Sequence, residues 1–162
     1  MNKNKFRLLI VKTGIKYLVV SLLMLNISIS YAVQDYTVKQ SRYSVGETID
    51  RLESIIKQKG IIVYSRIYHS MGAKKAGIAM RPTQLIIFGN PKAGSPLINE
   101  NPLAALDLPL KVMAWQDEKN QTWLAYMNSN ELRTRHNIQN AALLAEMDAL
   151  LKTITNQALG YK

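Results

Sequence analysis

The chain has 162 residues, 48% of them apolar and 20% charged, with no cysteine and a formal charge of +10. That is enough chain for one domain plus a targeting segment. The missing cysteines exclude disulfides, thiolate metal sites, a cysteine nucleophile and a lipid-attachment cysteine. The charge is unevenly placed: Lys3, Lys5, Arg7, Lys12 and Lys16 fall in the first 32 residues, which hold no acid. The other 130 residues carry 16 basic and 11 acidic side chains, a net of +5, which is no nucleic-acid footprint.

The N-terminus has the layout of an export signal. A basic stretch to Lys16 precedes an apolar run, Tyr17 to Ile29, and then Ser30-Tyr31-Ala32, with small residues where a signal peptidase reads. The run is shorter than the ~20 residues that span a bilayer as a helix. Residues 1–32 are therefore expected to be a cleaved signal peptide. Residues 33–162 are expected to be one exported domain, periplasmic or secreted, with no stable membrane span.

Tyr36 to Tyr43 alternates weakly and fits a first strand. Ser44-Val45-Gly46-Glu47 has the capping-box pattern, and Val45, Ile49, Leu52 and Ile56 then recur on one helical face as far as Gly60. Ile61 to Tyr68 is rich in β-branched and aromatic residues and predicts a strand. His69 to Arg81 is a connection or short helix. After Pro82, Thr83 to Phe88 predicts a buried central strand, and Gly89-Asn90-Pro91 predicts a turn. Ser95-Pro96 and Asn101-Pro102 each pair an N-cap residue with proline, the signature of a helix start. Leu110 to Gln116 and Gln121 to Met127 form a hairpin around Asp117 to Asn120. The first of these strands places Leu110, Val112 and Ala114 on one face and Lys111, Met113 and Trp115 on the other. The last element, Ile138 to Leu159, carries Ala141, Leu144, Met147, Leu151 and Ile154 on one stripe. This order of elements predicts an α+β domain, an antiparallel or mixed sheet with two long helices on one face.

Several local motifs run through this pattern: Ile67-Tyr68-His69, Met80-Arg81-Pro82-Thr83, Ile87-Phe88-Gly89-Asn90-Pro91-Lys92-Ala93-Gly94, Leu106-Asp107-Leu108-Pro109-Leu110-Lys111-Val112, and Tyr126. Together they resemble domain-of-unknown-function family 302, from about Tyr36 to Leu159. The resemblance implies a β-α-β(4)-α arrangement of the TATA-box-binding-protein-like class and a homodimer. It also implies a histidine at position 69. The family pattern has an acidic residue before that histidine, where this chain has Tyr68.

The candidate site residues are His69, Arg81, Asn90, Lys92 and Tyr126. His69, at a strand end, is suited to acid–base work or to fixing a turn. Arg81 is suited to clamping a carboxylate or phosphate. A helix starting near Pro96 would present free N–H groups, and with Lys92 nearby would offer a seat for a small anion. The loop from Gly89 to Gly94 lacks the lysine of a phosphate-binding P-loop, since Ser95 stands in its place. Tyr126, with Trp115 and Trp123, is a candidate lining for an apolar pocket between sheet and helix. His136, before the last helix, is expected to be exposed. His69 and His136 have no third ligand at suitable spacing, so no metal or cofactor is expected.

Three functions follow. The first is a non-catalytic module binding a small ligand or partner, its pocket edged by His69, Arg81 and Asn90. The second is an enzyme using His69 and Arg81. The third is an interaction dimer formed through the sheet or its aromatics. Nucleic acid is not an expected partner.

Overall fold

The computed structural model describes residues 36–161. The expected signal segment and its cleavage site lie outside the described residues.

Strand β1 (Tyr36–Ser41) leads into helix α1 (Val45–Gln58). Ser44 caps α1 by accepting from the Glu47 amide at 3.3 Å, and Thr48 ties the first turn to β1 through a buried 2.7 Å hydrogen bond with Ser41. Strand β2 (Ile62–Tyr68), the short helix α2 (His69–Lys75) and strand β3 (Thr83–Gly89) follow. Helix α3 (Pro91–Glu100) leads through a 3₁₀ turn (Pro102–Leu106) to β4 (Leu110–Gln116) and β5 (Thr122–Met127). Helices α4 (Ser129–His136) and α5 (Ala141–Leu159) complete the domain.

The strands form one antiparallel sheet in the order β1-β5-β4-β3-β2. The expected arrangement, a strand, a helix, four strands and a long final helix, is therefore present. Its core lies between α1, α5 and one face of the sheet. Val45, Ile49, Leu52 and Ile56 of α1 and Leu144, Met147, Leu151 and Ile154 of α5 are all buried, against Ile86, Phe88, Val112, Ala114 and Leu124 of the strands. Ala141, expected on the α5 stripe, is exposed. Arg66 fastens the β2 edge to α1, reaching Asp50 at 2.5 Å and Glu53 at 3.3 Å while donating to Gln84. Among the described residues no long helix covers the opposite face of the sheet, and Tyr36, Val38 and Ile67 are exposed there.

The chain departs from expectation in three places. Helix α3 starts at Pro91, not at Ser95: Asn90 is the N-cap, accepting from the Lys92 amide at 3.0 Å, and Pro96 lies inside the helix. Both Asn90-Pro91 and Ser95-Pro96 carry the start signal, and the first prevails because the chain turns as soon as β3 ends. Helix α4 is an additional element with little apolar periodicity. Asn137, in the left-handed conformation at φ 52°, ends it, so α5 begins at Ala141, capped by Asn140, rather than at Ile138. The hairpin connection also includes Gln121, because the Asp117 carboxylate accepts from the Lys119 and Gln121 amides at 2.9 and 2.8 Å.

Candidate functional site

Of the five candidate residues, His69, Arg81 and Asn90 are expected to edge one pocket, and the fold distributes the five over three places. His69 and Arg81 belong to the end of the sheet where β2 gives way to β3, both exposed. The Arg81 guanidinium donates to the Asn120 side-chain oxygen at 3.2 Å. Asn90 and Lys92 belong to the other end, where Gly89 pairs with Ile62. A seven-residue strand spans about 20 Å, so the two pairs do not edge one pocket.

Tyr126 is buried on the helix-covered face, in register with Val112 and beneath the Lys39 ammonium, 5.4 Å from the ring centroid. Trp123 lies three residues before it. Side chains alternate faces along a strand, so an odd spacing puts Trp123 on the uncovered face, opposite Trp115 in register. The three aromatics therefore do not line a common pocket. The Trp123 indole N–H donates to Asp117 at 2.8 Å and holds that carboxyl below its ordinary range.

The anion seat expected near Pro96 is not available either. Ser95 and Pro96 are inside α3. At its true start, Pro91 has no N–H, Lys92 donates to the Asn90 side chain, and Ala93 and Gly94 donate to the Asn90 carbonyl at 3.0 and 2.9 Å.

What this end of the molecule does contain is a cavity of about 420 Å³ between sheet, α3 and α5. Its walls are Phe88, Leu97 and Ile98, the Leu108-Pro109-Leu110 segment, and Leu143, Met147 and Leu150 of α5. Polar groups are few and include Asn90, Ser95 and Glu146. A register shift between Val63 and Ser65 in β2 accompanies the placing of Tyr64 on the lining. Gly89 keeps the floor open: a Cβ there would meet Pro109 at 3.3 Å and the Tyr64 ring at 3.8 Å. Of the five sequence candidates, Asn90 alone is among the lining residues. No local motif announces the cavity, because its walls come from four separate stretches of chain.

Beside it lies a polar cluster built on His136, which the sequence placed in solvent. His136 is buried, not exposed, and its Nε2 stands 2.7 Å from Asp107 Oδ2. Arg135 joins the same carboxylate at 3.3 Å and Glu131 at 2.7 Å, and the Asn101 amide donates to the His136 carbonyl at 2.8 Å. Burial pushes the Asp107 carboxyl up, but the His136 hydrogen bond and the Arg135 charge outweigh it and hold it below its ordinary value. Lys111 clamps the carbonyls of Leu106 and Asp107 at 3.2 and 2.9 Å. Together these contacts fix the Leu108-Pro109 wall of the cavity.

Comparison with known proteins agrees with this architecture. A crystal structure of an uncharacterized conserved DUF302 protein from Bacillus stearothermophilus superposes with a TM-score of 0.62 at 24% identity, over 78% of this chain and 96% of that one. Two relatives, from Brucella suis and Brucella abortus, are each named fluoride-specific ion channel FluC 1. Each is 41% identical to this chain over 99 residues, which is 61% of this chain. The match spans 39% and 37% of their own lengths, well under half. The family model for "Domain of unknown function DUF302" matches residues 36–155, almost the whole described domain. The chain belongs to the DUF302 family.

Proposed function

We propose that this is an exported, non-catalytic binding module whose ligand is a small, largely apolar molecule seated between β3, α3 and α5. The observation that carries this reading is the cavity. Its size, about 420 Å³, falls within the roughly 300–1,000 Å³ usual for small-molecule sites. Its apolar walls with a few polar groups suit a ligand that buries a hydrocarbon body and keeps one polar end near Asn90, Ser95 or Glu146. The export half of the proposal rests on the basic, apolar and small-residue layout of residues 1–32.

The test is thermal unfolding of the domain with 1-decanol, decylamine and sodium decanoate. A ligand that binds only the folded state raises the melting temperature in proportion to its concentration over Kd. At least one of the three is expected to do so, and Gly94→Phe, which fills the cavity from α3, is expected to abolish the shift. No shift with any of them counts against the reading.

The Brucella relatives favour a second reading, in which modules of this family work beside a fluoride-conducting membrane protein. No helix among the described residues is long and apolar enough to cross a membrane, so conduction would fall to a partner. Deleting this chain in its host would then lower fluoride tolerance, and unchanged growth in fluoride argues against it. The uncovered sheet face, with Tyr36 and Val38 exposed, also supports pairing of two copies, to be checked by sedimentation velocity.

A further inference from the structure

Helix α2 and the loop to β3 contribute almost nothing to the core. No side chain of α2 is buried. Yet this segment carries the large apolar side chains Met71, Ile78 and Met80, which are 55%, 60% and 50% exposed. They do not point at random, since Met71, Lys74, Ile78 and Met80 converge around a single open depression closed on one side by Pro82. Ile67 and Tyr68, at the end of β2, are also exposed, on opposite faces of the strand.

The segment itself carries charge of one sign, the nearest hairpin acids being Asp117 and Glu118 beyond Asn120. No aspartate or glutamate occurs between Glu53 and Glu100. Within that stretch Lys57 and Arg66 are engaged by the α1 acids. Among the described residues, Lys74 and Lys75 form no ion pair, and Arg81 contacts the neutral amide of Asn120. Exposed apolar side chains on one segment with Lys74, Lys75 and Arg81, none of them in an ion pair among the described residues, are the chemistry of an interfacial membrane contact. The apolar groups enter the acyl boundary while the cations meet anionic headgroups, and two such weak signals together give stable attachment.

We propose that the segment from Ile67 to Arg81 is a docking surface for an anionic phospholipid bilayer, holding the domain at a membrane with its cavity end facing away. The inference is independent of the cavity's ligand. A fluid bilayer suits the patch better than a folded partner does, because flexible thioether, aliphatic and ammonium groups impose no fixed pattern of hydrogen bonds.

The test uses the domain from Gln34 onward; a crystallised DUF302 chain is covered by this fold over 96% of its length. Co-sedimentation is measured with vesicles of equal phosphatidylglycerol and phosphatidylcholine, and with phosphatidylcholine alone. Binding is expected to the first and not the second, and to fall at about 0.5 M salt, where screening is short-ranged. The double variants Ile78→Ser/Met80→Ser and Lys74→Glu/Lys75→Glu are each expected to weaken it by roughly tenfold or more. Their melting temperatures should match the wild type, since every altered side chain is exposed. Wild-type protein left in the supernatant with anionic vesicles overturns the proposal. Binding that both double variants retain overturns it too.

Discussion

His136 and Asp107 lie 29 residues apart in the chain and 2.7 Å apart in the fold. The pair couples the last residue of α4 to the loop before β4. It thereby sets Leu108 and Pro109 against the cavity.

Replacing Asp107 with asparagine removes the carboxylate that both His136 and Arg135 engage. Hydrogen bonds to charged groups are worth more than neutral ones, so Asp107→Asn is expected to cost about 2 kcal/mol in urea unfolding at neutral pH. The folded-state pKa of Asp107 is depressed, so its stabilisation is complete above the ordinary carboxylate range and is lost as pH falls through the folded value. The gap between wild type and variant should therefore narrow as pH falls below the ordinary carboxylate range. A gap that stays constant from neutral to acid would show that the carboxylate's charge is not what matters.

Two glycine substitutions are expected to act in opposite directions. Gly94 lies within α3 with nothing inside 4 Å of a prospective Cβ. Gly94→Ala should raise stability by roughly 0.5–1 kcal/mol, because glycine loses more backbone freedom in a helix. Gly160 caps α5 at φ 77°, and a Cβ there would meet the Tyr43 hydroxyl at 2.8 Å. Gly160→Ala should cost at least about 1 kcal/mol, read as a shift of the urea midpoint at unchanged slope.

Leu151 is fully buried on α5 and belongs to the central cluster. Leu151→Ala is expected to cost about 2–5 kcal/mol by leaving a void that the core cannot close. Leu106, 75% exposed in the 3₁₀ turn, is the matching control. Leu106→Ala should change the midpoint by no more than about 0.5 kcal/mol.

The elements that own a repeating pattern were legible in the sequence. Val45, Ile49, Leu52 and Ile56 declare α1 by spacing alone, and β4 declares its faces in the same way, with Val112 and Ala114 buried. Features made by distant segments were not legible. The burial of His136 depends on Asp107, and nothing in the local composition of α4 signals it. The cavity arises where β3, α3, the Leu108-Pro109 segment and α5 meet. The sequence therefore offered Asn90 as a turn residue, without the pocket it borders. His69 and Arg81 looked like site residues because they flank a strand–loop junction. That junction is the basic, apolar end of the molecule, some 20 Å along the strands from the cavity.

The ligand-binding account stands or falls on occupancy of that cavity. Backbone amide shifts of the isotope-labelled domain, followed through a titration with 1-decanol, test it directly. The account predicts saturable changes at Ala93, Gly94, Leu108 and Leu110, with the uncovered-face strand residues Val38 and Met113 unmoved. Changes scattered over Val38, Met113 and Ile67 instead, or shifts that never saturate, would contradict it.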